Sequence, residues 1–147
     1  MYGDSAAMRR RVRQLREQAV DVRALAERLV AQADAIDWQG RAADAMRERI
    51  RERAEHLREC AHRHDNAAEA LDRHNGEVGR LKESISEVEH KASSLVADAK
   101  TRVARIEAHD DPDGVVRQAT PEDRLLVDFT PPKSGHKDWL TVELPGL

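Results

Sequence analysis

The stretch Ile36-Asp37-Trp38-Gln39-Gly40-Arg41, at residues 36–41, separates two long segments with helical periodicity and decides the fold. Gly40 has no Cβ, so it can take a left-handed conformation and reverse the direction of the chain. Trp38 carries a large apolar ring, and we expect this ring to plug the closed end of the hairpin that results. The sequence therefore predicts a helix–turn–helix hairpin with its bend at these residues.

Apolar or small side chains recur on both sides of the bend at alternating steps of four and three residues. This spacing is typical of helices that pack along a narrow seam, as in coiled coils. It predicts antiparallel helices at about 5–36 and 41–74, with Ser5 as the amino-terminal cap. The side chains expected to close the hairpin are Val12, Leu15, Val22, Leu29 and Ile36 in the first helix and Met46, Ile50, Leu57 and Leu71 in the second.

The same rhythm resumes over residues 77–108, and two interpretations compete there. The chain could turn back at Asn75-Gly76 and build a three-helix bundle, or the glycines could only loosen one very long helix. The seam continues nearly in phase, which favours the long helix, whereas Gly76 and Gly79 each cost about 1 kcal/mol in a helix interior. Because the three segments have similar lengths, we expect the break, within a helical domain at 1–109.

The remainder, 110–147, has a different character. It begins as an acidic linker and then contains two strand-like runs, at 125–129 and 139–144. They predict a short β-hairpin-like or disordered tail that docks on the helices or adds to a partner's sheet, with Phe129 and Trp139 as its anchors. The expected fold class is thus mostly α, a helical hairpin extended to a three-helix or four-helix-type bundle, with a partly β carboxyl-terminal tail.

Composition restricts the class of protein. Among 147 residues, aromatic side chains are 3%, charged side chains are 36% and the net charge is −3, which is typical of long helices with narrow seams. Arginine alternates with glutamate, as in 47–53, which predicts solvated faces linked by ion pairs and no binding of nucleic acid. No apolar run reaches the roughly 20 residues of a membrane span, so we expect no integral membrane segment. The sequence also has no signal-peptide pattern.

The densest cluster of possible metal ligands is His56, Cys60, His62 and His64, and all of these except His62 share one stripe of the second helix. Successive members are separated by about 6 Å along the helix axis, so only two adjacent ones could reach the same ion. We therefore expect no metal and no cofactor, and a metal- or redox-sensing bundle is the least favoured hypothesis. Motifs for hydrolysis or phosphate binding are missing from the sequence. The sequence accordingly predicts that the protein is not an enzyme and has no catalytic residue.

The bend resembles that of the Trp-x-Gly (WXG) family, helical-hairpin proteins handled by bacterial type VII secretion systems, in the sequence Trp38-Gln39-Gly40 followed by Ala42 and Ala43. The resemblance covers about residues 5–74. It implies that Trp38 and Gly40 fix the turn, that the two alanines allow close approach of the helices, and that two hairpins associate as a four-helix dimer. Members or their partners often carry a Tyr-x-x-x-Asp/Glu export signal after the second helix, but the only tyrosine here is Tyr2.

The resemblance implies a non-catalytic exported substrate or escort. It would pair with itself or another helical hairpin, contact the secretion machinery, and be bacterial and secreted or cell-surface through a leaderless route. The alternative is a cytosolic coiled-coil adaptor or regulator, a protein that remains cytoplasmic. Apolar residues outside the seam, at Val20, Leu25 and Val30, widen the apolar stripe beyond what one neighbour covers. They predict a second edge that receives a third helix or another chain.

Overall fold

The computed structural model describes residues 4–108 and 117–147 and confirms a mostly helical chain. Its elements are α1 (Ser5–Ala35), α2 (Arg41–Glu107), α3 (Pro121–Val127) and a short 3-10 helix (Lys137–Thr141). No strand occurs in these two ranges. The chain divides into two compact units, Met1–Val78 and Gly79–Leu147, which we call the hairpin unit and the carboxyl-terminal unit.

Helix α1 begins at the predicted residue, but with a different cap. The carboxylate of Asp4, not the hydroxyl of Ser5, accepts the backbone N–H of Ala6 at 2.9 Å. A carboxylate at this position also interacts favourably with the positive end of the helix dipole. The helix ends at Ala35, because Ile36 has extended backbone angles, with φ −70° and ψ 119°.

The bend depends on the backbone of Gly40. Its φ is 108°, a region that side chains rarely allow. A Cβ built there would meet no atom within 4 Å, so the backbone conformation and not crowding favours glycine. The Gly40 carbonyl accepts the N–H of Asp44 at 3.0 Å and thereby begins the hydrogen bonding of α2.

Helix α2 is continuous over 67 residues, so the predicted break at Asn75-Gly76 is wrong and the alternative of one long helix holds. Gly76 and Gly79 stay helical at a cost of about 1 kcal/mol each. This cost is offset because the last part of α2 buries its apolar stripe against the chain's own carboxyl-terminal segment. A third antiparallel helix is therefore not required to cover it.

Small residues form the centre of the hairpin unit. The buried seam of α1 repeats every seven residues, and that of α2 contains four alanines without any exposed surface. Helices can approach closely where only methyl groups separate their backbones. These central seam residues are Val12, Ala19, Ala26 and Ala33 in α1 and Ala43, Ala54, Ala61 and Ala68 in α2.

The carboxyl-terminal unit packs its segment 117–147 against the last part of α2. Its core contains Ile85, Ala92 and Trp139, with partly buried Val88, Phe129, Val142, Leu144 and Leu147 around them. The predicted β character of this tail is wrong, because residues 125–127 lie in α3 and 139–141 lie in the 3-10 helix. The predicted domain boundary at 109–110 and the start of the acidic linker lie outside the described residues.

Candidate helix-binding surface

One flank of the hairpin seam is a ladder of ion pairs between α1 and α2. As the residue number rises along α1, the number of its partner on α2 falls, which is the signature of antiparallel helices. All of these side chains are partly exposed, so each pair contributes about 0.2–1 kcal/mol and mainly favours one register. The pairs are Arg16–Asp72 at 3.2 Å, Arg23–Asp65, Glu27–Arg58 at 2.7 Å and Asp34–Arg51 at 3.1 Å.

Arg47 closes the hairpin at the bend. Its Nη2 donates to the carbonyls of Trp38 at 2.7 Å and Ile36 at 2.9 Å, and its Nε donates to that of Ala33 at 3.3 Å. The last carbonyls of a helix lack partners within the helix, and α1 has no basic residue in its own last turn. Arg47, whose side chain is only 18% exposed, therefore caps α1 from α2.

Trp38 does not plug the closed end of the hairpin, because 46% of its surface is exposed. Arg47 closes the bend instead, and Trp38 contributes its backbone carbonyl to the hydrogen bonds of Arg47. Ile36, predicted to close the seam, is also 47% exposed, since α1 ends just before it. Of the two alanines after the bend, Ala43 is completely buried, whereas Ala42 is exposed.

The other flank of the seam is apolar and only partly covered. At 100° per residue, the large side chains lie beside the alanines on the flank opposite to the ion-pair ladder. Each of them except the more exposed Leu25 is half-buried, and Leu29 and Leu57 line an open groove with Arg53 and His56. We call this surface the groove face; its members are Leu15, Val22, Leu25 and Leu29 of α1 and Met46, Leu57 and Leu71 of α2. The remaining predicted seam residue, Ile50, is half-buried near the centre of the seam.

The cysteine and histidine cluster does not converge. His64 Nδ1 lies 2.9 Å from the carbonyl oxygen of Cys60 and 3.8 Å from its Sγ, which are contacts between neighbouring turns of one helix. His56 lies at the groove instead. Within the described ranges, no three His, Cys, Asp or Glu side chains are placed to hold a metal ion.

Trp139 and Phe129 lie in the carboxyl-terminal unit, where their ring centroids are 6.1 Å apart. Trp139 is 3% exposed, and its indole N–H donates to the carbonyl of Lys133 at 3.1 Å. Both polar and apolar parts of the indole are thus satisfied. The segment docks on its own helix, which is one of the alternatives that the sequence left open.

Two carboxylates form hydrogen bonds between segment 117–147 and α2. Asp123, buried in α3, accepts from Arg102 Nη2 at 2.7 Å and Nε at 3.2 Å, and this hydrogen bonding lowers the pKa of the Asp123 carboxyl. Glu89 accepts the N–H of Gly135 at 3.0 Å. This bond, together with one from Ser134, lowers the pKa of the Glu89 carboxyl.

Comparison with protein-family models, curated proteins and solved structures finds no match for the chain. None of the helices that the structure describes combines the length and apolar content that a membrane span requires. The surfaces of the described residues are therefore the basis for a functional assignment.

Proposed function

We propose that this protein is non-catalytic and acts by helix–helix association, as a substrate or escort associated with type VII secretion. The groove face carries the proposal. It is an apolar stripe on two adjacent helices, and its side chains remain partly exposed to solvent. Burying such a stripe against a further helix stabilises the complex by about 25 cal/mol per Å² of apolar surface removed from water. The Trp-x-Gly bend at Trp38 and Gly40 supports the secretion part of the proposal.

The partner is a helical hairpin, either a second copy or another protein, that lays its own apolar stripe along the groove face. Helix-in-groove binding needs a stripe with helical spacing and no special chemistry. The protein is accordingly bacterial and is secreted or placed at the cell surface by a leaderless route. Its contacts with the secretion machinery are part of the same proposal.

A cytosolic coiled-coil adaptor is the second candidate. It is favoured by the sequence after the second helix of the hairpin, which contains no tyrosine and hence no Tyr-x-x-x-Asp/Glu signal. In that case the same surface binds a partner that remains in the cytoplasm. The two candidates share the groove face and differ only in where the complex is found.

A photo-crosslinking amino acid placed at Leu25 or at Val20 tests the shared part in the bacterium that encodes the protein. Both residues are exposed and apolar on α1, at 42% and 62%, but only Leu25 lies on the groove face. We expect Leu25 to crosslink to one helical protein identified by mass spectrometry, while Val20 does not. Equal crosslinking from both positions, or none, would contradict a specific helix-binding surface.

Export is tested separately, by measuring the protein in culture medium with and without the type VII ATPase. Secretion predicts that the protein is present in the medium and is lost when the ATPase gene is deleted. Retention in cells under both conditions, with crosslinking from Leu25 intact, would favour the adaptor.

A further inference from the structure

The charges around the groove face are distributed unevenly. On α2, Arg53 and His56 line the groove, and Arg49 lies one turn earlier on the same face of the helix. All three are exposed. Positive and potentially positive groups thus lie along the α2 edge of the groove.

The arginines of α2 within residues 47–58 fall into two sets. Those beside the ion-pair ladder have partners: Arg51 and Arg58 form ion pairs with α1, and Arg47 caps the end of α1. By contrast, Arg49 and Arg53 form no ion pair within residues 4–108 and 117–147. A charge without a counter-ion next to an apolar stripe is the arrangement expected where an oppositely charged partner binds.

The groove side of the hairpin contains few carboxylates: Asp21 lies on the α1 edge, seven residues after Gln14 and seven before Arg28 on the same stripe of the helix. Helical spacing places Arg11 and three glutamines, Gln14, Gln18 and Gln32, on the α1 edge of the groove. Other carboxylates of the hairpin, such as Glu27, Asp34 and Asp65, belong to the ion-pair ladder on the opposite flank. The apolar stripe is therefore bordered by amides, two arginines and one carboxylate on α1 and by positive charge on α2, so positive charge is in excess.

From this distribution we infer that the groove face selects an amphipathic helix with acidic residues beside its apolar stripe, and that it disfavours a second copy of this chain. The inference rests on the proposed function and names its partner. An acidic helix supplies counter-charges to Arg49 and Arg53 as its apolar side chains enter the groove. A second copy presents the same face, on which Asp21 is one carboxylate against Arg11, Arg28, Arg49 and Arg53, so most of these positive charges stay unpaired.

Two synthetic helical peptides of about four heptads test this inference. They share one leucine–alanine stripe and differ only at the flanking positions, which are glutamate in one peptide and lysine in the other. Binding to the full chain is measured by fluorescence anisotropy at low and at high salt. We expect the glutamate peptide to bind about tenfold more tightly at low salt, with a smaller ratio at high salt because ions screen exposed charges.

The double variant Arg49→Glu/Arg53→Glu should reverse the preference between the peptides. The matched control is Arg41→Glu/Arg73→Glu, which makes the same charge change on exposed residues of α2 outside the groove side. This control should keep the preference of the unmodified chain. Circular dichroism establishes that both variants are folded.

The outcomes separate the inference from the proposed function. Equal binding of both peptides, or an unchanged preference in Arg49→Glu/Arg53→Glu, overturns the charge selection and leaves the helix-binding surface standing. Failure of both peptides to bind overturns both. Light scattering of the chain alone should give the monomer mass, and a dimer of the unmodified protein would also overturn the inference.

Discussion

At the scale of single residues, the hairpin depends on a few backbone positions more than on large apolar side chains. Gly40 takes a φ that glycine tolerates, Arg47 caps α1, and alanines occupy the points where α1 and α2 are most deeply buried. The need for Gly40 could be predicted, because a residue without a Cβ at a bend has few other roles. The function of Arg47 could not, because its partners are backbone carbonyls of another helix and leave no pattern of residue types.

Replacing Gly40 by alanine should lower the free energy of unfolding by about 1–3 kcal/mol, since the new Cβ meets no atom but forces a strained φ. The matched control is Gly76→Ala, inside α2, where a Cβ also meets nothing. There we expect stabilisation of about 0.5–1 kcal/mol. Chemical denaturation followed by circular dichroism measures both; destabilisation by both variants would contradict a continuous α2.

Replacing Arg47 by alanine should destabilise the hairpin unit by about 1–3 kcal/mol, because one carbonyl in the last turn of α1 and two in the bend after it lose a charged donor. Arg49→Ala serves as the control, since Arg49 is exposed and should change stability by no more than about 0.5 kcal/mol. Thermal and urea unfolding provide the comparison. Equal effects of the two substitutions would show that the cap contributes nothing specific.

At the scale of elements, packing overrides local signals. Gly76 predicts a helix end, yet α2 continues through it, with Ala68 buried before the glycine and Ile85 buried after it. In the tail, alternating apolar residues indicate strands, but Thr120 and Pro121 are a helix start: Thr120 accepts the N–H of Asp123 at 3.1 Å. The cap signal was present in the sequence, whereas the docking of Trp139 depends on contacts with a distant part of the chain.

Trp139→Ala should detach the carboxyl-terminal segment from α2, since removing a buried indole costs about 3–5 kcal/mol. Limited proteolysis should then cleave within 117–147 much faster than in the unmodified chain. Trp38→Ala is the matched control, because the same side chain is removed from a half-exposed site. If the segment remains protected in Trp139→Ala, Trp139 is not its anchor.

Acidic pH should weaken the docking of segment 117–147 on α2. The pKa values of the Asp123 and Glu89 carboxyls are lowered in the folded protein by the hydrogen bonds they accept. Their stabilisation is therefore complete above the ordinary carboxyl pKa of about 4 and is lost as the pH falls through the lowered values. Amide hydrogen exchange of the segment against pH should show this loss. Asp123→Asn should weaken the protection at neutral pH and reduce its dependence on acid; an unchanged profile would contradict the role of Asp123.

At the scale of the molecule, the hairpin unit has two unlike flanks. Ion pairs such as Arg16–Asp72 and Arg51–Asp34 connect α1 and α2 on one, and half-buried leucines such as Leu29 and Leu57 line the other. The alternating spacing was sufficient to predict that α1 and α2 pack together. It could not show which flank stays open, because that depends on the rotation of each helix about its axis, which the burial of the alanines reveals.

The central claim is that the chain reverses at Gly40 and lays α1 along the first part of α2. The most direct test is the distance between spin labels on Cys60, which is exposed, and on a second cysteine in Arg28→Cys. Packed helices lie about 8–10 Å apart, so with the label arms included we predict a distance of about 15–30 Å by pulsed electron paramagnetic resonance. If the helices instead extended away from each other, about 32 residues at 1.5 Å each would separate the labels, and a distance near 45–50 Å would contradict the hairpin.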